Sequence, residues 1–420
     1  MATTLFRRSV VDELERYLHT DDIVVLHGAR QVGKTSILMY LKAELETKGE
    51  RTIYLDLEDS RLVTVLDRGV DEFLRYLHEE VMGFETLQRA GSGKLYVLID
   101  EIQYLANPSS FMKLIADHHR YLKLLVSGSS SFEMKSKFRN TLVGRTVDFE
   151  IHPLSFREML VFRGVPFTVR PAYSDIKTAE LQALYTEYAL YGGYPKIVLT
   201  AQVDMKERYL QQIIDTYIRK DIRDLADIKD IGKFNRLLEA LASQAGNLLN
   251  TAELANTCAL ARTTVERYLF LLEQTYIIRL VRPFSRNLRS EITKMPKVFP
   301  CDTGLMQMLW LKRLQREVLG PVFETSIYVE LLKLYGGHQV GYWRTTDKRE
   351  IDFVVRRPED TLLVEAKLTF PHIVPPTMRP APPVAGAMPG AGFEQHQIVS
   401  LFGHPAEERM IYPWQLYAQP

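Results

Sequence analysis

Cysteine is nearly absent: the 420-residue chain has two, Cys258 and Cys301, far apart in sequence. That excludes a disulfide framework and a cysteine-rich zinc site, and it suits a reducing cytoplasm. Net charge is nearly absent as well, at +1. A uniformly basic nucleic-acid coat is thereby excluded, so any DNA contact has to come from a local patch. No apolar run approaches the ~20 residues of a membrane helix, and the opening Met1-Ala-Thr-Thr-Leu-Phe-Arg-Arg8 has no signal-peptide core. Repeats at solenoid periods are missing too. What remains has a globular composition, 46% hydrophobic and 25% charged, in a chain too long for one core. The expectation is a soluble cytoplasmic protein of several domains with no membrane partner.

Against that plain background one segment stands out. The apolar run 22–27 reads as a strand, Gly28-Ala29-Arg30-Gln31-Val32-Gly33-Lys34-Thr35 follows, and a helical pattern starts at Ser36. This is G-x-x-x-x-G-K-[ST] in a strand–loop–helix setting. The glycines allow successive N–H groups to point inward, and the helix N-terminus adds partial positive charge. Lys34 is placed for the β and γ phosphates of a nucleotide, and the Thr35 hydroxyl for Mg²⁺. A second run, Lys94-Leu-Tyr-Val-Leu-Ile-Asp100-Glu101, reads as a strand of a buried parallel sheet ending in two carboxylates. Asp100 is expected beside the loop as a Mg²⁺ partner, and Glu101 as the carboxylate that polarises an attacking water.

Strands and helices alternate through residues 1–150, which implies a doubly wound parallel sheet. Ser127 and Ser129 end its fourth strand, either as sensors of the γ-phosphate or as a tight Ser/Gly turn. Arg145 precedes the fifth strand, as an arginine that reaches a γ-phosphate within or between subunits or as a solvated loop residue; Arg139 is a rival. Residues 170–230 are mostly helical, broken at Tyr191-Gly-Gly-Tyr-Pro195. Residues 231–300 read as a winged helix whose third helix opens with Arg262, Thr263, Thr264 and Arg267. Its wing carries Arg279, Arg282, Arg286, Arg289, Lys294 and Lys297, placed for phosphates. A packing or protein-docking module is the other reading.

Near the carboxyl end, 349–355 and 361–367 read as a hairpin around 356–360. Its register sets Asp352 opposite Glu365 and puts Glu350, Asp352, Glu365 and Lys367 on one face. Facing carboxylates repel unless a cation sits between them, and Mg²⁺ is the candidate, with Glu324 as a third acid. Residues 371–392 form a Pro/Ala/Gly-rich excursion, after which 395–402 reads as a helix and 410–416 as a final strand.

With these motifs assembled, the chain resembles the prokaryotic AAA-type ATPases that join an N-terminal P-loop domain to a C-terminal domain of unknown function with a PD-(D/E)xK-like fold. The likeness rests on 28–35, 98–101, 127–130, 144–145 leading to 153–158, 191–195, 302–305, 323–324, 350–353 and 365–367. It departs from the family pattern after Lys367, where the excursion interrupts the expected helix. The resemblance implies ATP as the nucleotide, an ASCE-type catalytic glutamate at Glu101, and a winged helix between the end domains. The expected fold class is therefore α/β. It divides into an ATPase core over 1–168, a helical lid over 169–230, a winged helix-turn-helix over 231–300 and a nuclease-like domain over 301–420. The expected function is a Mg²⁺-dependent ATP-hydrolysing switch acting on double-stranded DNA, possible as a homo-oligomer. The alternatives are an ATP-gated nuclease built on Glu324, Asp352, Glu365 and Lys367, and a nucleotide-binding scaffold for a protein partner.

Overall fold

Five strands, each rich in Val, Ile and Leu, are laid side by side in the first part of the chain. They are β1 (Ile23–Gly28), β2 (Arg51–Asp56), β3 (Leu95–Asp100), β4 (Leu122–Gly128) and β5 (Thr146–Ile151). The computed structural model describes residues 5–82, 84, 93–128, 142–221, 228, 230–284, 295–345, 349–372 and 394–418. All four strand pairs of this sheet are parallel, in the order β2-β3-β4-β1-β5. Every residue of β3 and β4 is buried, which is why these strands read as continuous apolar runs. β4 lies between the loop-bearing β1 and the carboxylate-bearing β3. The carboxyl ends of all three strands therefore meet at one edge.

The chain divides into two compact units, Met1–His152 and Pro153–Pro420. In the second, helices Phe156–Phe162 and Asp175–Tyr191 share one apolar cluster with the carboxyl-terminal sheet, among them Phe156, Tyr185, Phe323, Phe353 and Trp414. Ser155 opens the first helix with a capping box closed by Glu158. Gly193 is pressed against the chain: a Cβ there would come 2.2 Å from the Leu154 carbonyl oxygen. Its N–H donates to Asp302 at 2.8 Å, and Asp302 also caps the helix Thr303–Leu311. The glycine break at 191–195 and the Asp302 turn are thus one structural knot.

Helices Ile231–Ser243, Thr251–Cys258 and Arg262–Gln274 follow one another, the second capped by the Asn250 side chain. An antiparallel ribbon comes next, β6 (Ile278–Val281) paired with β7 (Lys297–Pro300). Arg286, Arg289 and Lys294 lie outside the described residues, as do Ser129, Ser130, Arg139 and nearly all of the 371–392 excursion.

The last sheet has the order β12-β11-β10-β9-β8, from β8 (Val340–Arg344), β9 (Glu350–Arg356), β10 (Thr361–Thr369), β11 (Glu394–Phe402) and β12 (Met410–Ile411). Residues 395–402, expected as a helix, are a strand paired in parallel with β10. Ile398, Val399 and Leu401 are all fully buried there. The outer edge of β10 supplies a ladder that a lone segment lacks, and tertiary pairing overrides the local pattern.

Candidate functional site

The phosphate loop begins where β1 ends. A Cβ on Gly28 would come 2.2 Å from the Ile151 carbonyl oxygen of β5, so only glycine fits this start. Gln31 (φ 62°) and Gly33 (φ 100°) take left-handed conformations that curl the loop. Gly33 then caps the helix Lys34–Thr47 with no side chain over its first N–H groups. That helix end is an open anion site, with Ala29 and Val32 buried beneath it and Arg30, Thr35 and Ser36 exposed.

Lys34 is 5% exposed and donates to the Gly28 and Ala29 carbonyls at 3.1 and 2.9 Å. Burial lowers its pKa to about 8, against the raising pull of Glu101 and Asp100. The Thr35 hydroxyl donates to Asp100 Oδ2 at 2.5 Å, and Ser127, fully buried, donates its hydroxyl to Asp100 Oδ1. Ser127 Oγ also accepts the Glu101 N–H at 3.3 Å. Glu101 itself is left-handed (φ 55°), an uncommon state for a residue with a Cβ, and its carboxylate accepts from Gln103 Nε2. Lys34, Thr35, Asp100, Glu101 and Ser127 therefore converge at one edge of the sheet. The Thr35 hydroxyl beside the Asp100 carboxylate is an oxygen pair that fits Mg²⁺, and the open helix end fits phosphate.

Arg145 is not brought to this edge. The Ile23 N–H donates to its carbonyl at 2.8 Å, which sets Arg145 level with the start of β1. The six residues of β1, at about 3.3 Å each, put about 20 Å between it and the loop. Its guanidinium is paired with Asp117 at 2.7 Å. The residue falls before the fifth strand, and parallel strands put their starts at the edge away from the loop.

Two residues at the site carry no motif signal. Tyr54, on β2, donates its hydroxyl to Asp100 Oδ2 at 3.0 Å. Burial and then the Asp100 charge raise its pKa, so it stays a donor. Arg8, 6% exposed, donates to the Val32 carbonyl of the loop at 2.8 Å and to the His152 carbonyl at 2.9 Å. Only the sheet order reveals Tyr54 as a neighbour of Asp100, and nothing local in the sequence marks Arg8.

In the second unit the carboxylate residues also come together. The β9–β10 register runs through Val364↔Phe353, so the next step sets Glu365 beside Asp352. Lys367 Nζ lies 2.7 Å from Glu365 Oε1 and 3.6 Å from Asp352 Oδ2, and the Ala366 N–H donates to Asp352 Oδ2 at 3.0 Å. Lys297, expected over phosphates, is instead 2% exposed and paired with Glu324 at 3.4 Å and Glu350 at 2.5 Å. As the first residue of β7 it points into the protein, and its basic sequence neighbours gave no hint of that. Burial raises Glu324 to a pKa of about 7, with Lys297 opposing and Asp352 adding to the shift. Folded protein therefore holds a proton that the unfolded chain releases near pH 4.5. The Glu324 contribution to stability is full below about pH 4.5 and is lost as the pH rises through about 7, by roughly 3 kcal/mol. Melting curves from pH 4.5 to 8 should show this slope in the native protein and a flatter one in Glu324→Gln.

On the helix Arg262–Gln274, Arg262, Thr263 and Arg267 are exposed and Thr264 is half-buried. Arg262 pairs with Glu266 at 2.9 Å, one turn on.

Three family models match the chain: an AAA domain at residues 20–160, a domain of unknown function (DUF8612) at 182–316 and a domain of unknown function (DUF4143) at 319–372. An uncharacterized protein of Haemophilus influenzae is 27% identical over 381 residues, covering 87% of each chain. An uncharacterized protein of Mycobacterium tuberculosis is 25% identical over 381 residues, covering 89% of this chain and 77% of its own. Among solved structures, AMPPCP-bound DnaA from Aquifex aeolicus is 16% identical with a TM-score of 0.28, over 65% of this chain and 89% of that one. The ADP form of the Aeropyrum pernix ORC2 protein is 13% identical with a TM-score of 0.36, over 71% and 90%. Those scores are too low to establish a shared fold. No helix among the described residues is long and apolar enough to cross a membrane. Motif, strand order and family match agree on a P-loop, nucleotide-binding domain of the AAA type over residues 20–160.

Proposed function

We propose that the chain is an ATP-hydrolysing switch whose nucleotide state governs the helix–ribbon region and, through it, a DNA partner. The observation that carries the reading is the meeting of Thr35, Asp100, Ser127 and Glu101 beside an uncapped helix end. Gly28 to Ser36 would hold the phosphates through backbone N–H groups, with Lys34 leaving its two loop carbonyls for the β and γ oxygens. Thr35 and Asp100 would hold Mg²⁺, which supplies charge neutralisation on the phosphates when bound. Tyr54 and Ser127 each donate to Asp100 and so fix the orientation of its carboxylate. Glu101, one residue beyond, would accept a proton from a water attacking the γ-phosphate.

Three successive helices followed by an antiparallel ribbon have the layout of a winged helix, and the exposed Arg262, Thr263 and Arg267 lie in the first two turns of its third helix. In such modules that surface meets DNA. Replacing Arg262 and Arg267 together by alanine should weaken double-stranded DNA binding. It should also lower the slope of log affinity against log salt by about 1 for each phosphate that is no longer neutralised. Fluorescence anisotropy across a salt series measures both, and unchanged curves would assign this helix to protein packing.

A further inference from the structure

We infer that Lys297 is the resident cation of the carboxylate centre in the second unit and occupies it in place of a divalent metal. The resemblance to the PD-(D/E)xK fold implies a metal held by Glu324, Asp352 and Glu365, and the residues present do not fit one. Each of these carboxylates already carries a donor. Glu324 Oε1 faces Lys297, Glu365 Oε1 faces Lys367, and Asp352 Oδ2 takes both the Ala366 N–H and Lys367. Among the described residues no group of three or more His, Cys, Asp or Glu side chains is arranged to hold a metal ion.

The lysine responsible comes from outside the hairpin. β7 delivers Lys297 across to β9, where its ammonium bridges Glu324 and Glu350 at 3.4 and 2.5 Å, while Arg344 holds the other oxygen of Glu350 at 3.1 Å. Burial opposes its charge, and Glu324, Asp352 and Glu350 outweigh that cost, so the ammonium is held above its ordinary range. Four carboxylates (Glu324, Glu350, Asp352, Glu365) face three cations here, Lys297, Lys367 and Arg344. Removing Lys297 takes the paired ammonium from Glu324, which the Asp352 charge already repels, and leaves Lys367 as the cation beside Asp352 and Glu365. Glu365 Oε2, buried and without a hydrogen-bond partner in the native protein as well, would then be a further oxygen for a cation. A divalent ion is the species that restores the balance. The inference stands apart from the nucleotide reading, since no residue of the phosphate loop enters it.

The test is Mn²⁺ binding to the nucleotide-free, full-length protein, followed by the paramagnetic resonance of free Mn²⁺. The native protein and Asp352→Asn should bind alike, with no site that depends on Asp352. Lys297→Met should gain one site at least about 10-fold tighter than anything in the native protein. The double variant with Asp352→Asn should lose it again. Native protein that binds Mn²⁺ at a site abolished by Asp352→Asn overturns the inference, and that comparison decides the matter even if Lys297→Met does not fold. Folded Lys297→Met with no gained site overturns it equally.

Discussion

Glu101→Gln should slow ATP hydrolysis by about 10²–10⁴-fold while leaving ATP affinity within a few-fold of native. The two effects separate because the carboxylate lies outside the loop that is proposed to hold the phosphates. Lys34, Thr35 and the helix N-terminus belong to the loop, whereas Glu101 follows the end of β3. Glutamine keeps the size and the hydrogen bond with Gln103 but cannot take a proton at neutral pH. Its left-handed backbone is a position that glutamine occupies elsewhere in this chain, at Gln31, so the change is not expected to unfold the turn. Single-turnover hydrolysis and equilibrium binding of a fluorescent ATP analogue report the two quantities. Loss of affinity in step with loss of turnover would assign Glu101 to holding the loop rather than to the water.

The second large effect belongs to stability. Glu330 is 1% exposed, and its carboxylate accepts the Phe156 N–H at 3.3 Å, the hydroxyls of Tyr188 and Tyr417, and the Lys333 ammonium at 3.3 Å. Burial raises its pKa, and Lys333 and these donors oppose the rise. Lys333 also reaches the Leu154 carbonyl and the Tyr188 hydroxyl, at 2.9 and 2.6 Å. This one carboxylate ties the start of the helix Phe156–Phe162 to the helix Gly320–Tyr335 and to the end of the chain. Glu330→Ala leaves the largely buried Lys333 ammonium without its counter-charge and the buried Phe156 N–H without its acceptor, which costs about 3–5 kcal/mol. In calorimetry the transition of the second unit should fall by roughly 10 °C, and that of the first should stay. Glu330→Gln, which retains an acceptor, should lose less. A drop below about 1 kcal/mol would mean that water repairs the network.

What the sequence disclosed followed a physical pattern. The phosphate loop and the Asp100–Glu101 pair were readable because their chemistry lies in contiguous residues, and a parallel sheet brings strand ends to one edge. The juxtaposition of Asp352 with Glu365 was readable because a tight turn fixes antiparallel register, and β9 and β10 are joined by only 357–360. Residues whose role depends on distant chain were not readable. Lys297 sits among basic neighbours yet turns inward to Glu324 and Glu350, a destination set by how β7 packs on the last sheet. Arg145 precedes a strand at the edge remote from the loop, which requires the strand direction to be seen. Tyr54 meets Asp100 only because β2 and β3 are sheet neighbours. Residues 395–402 became a strand because β10 offers them a partner, not because their own pattern demands it.

The most direct test of the account is ATP turnover by the native chain and Glu101→Gln side by side, with Mg²⁺, in the presence and absence of double-stranded DNA. The expected result is turnover that DNA accelerates in the native protein and that the variant lacks in both conditions. Equal turnover in the two proteins, or none in either, would contradict the assignment of an ATP-hydrolysing centre to Asp100 and Glu101.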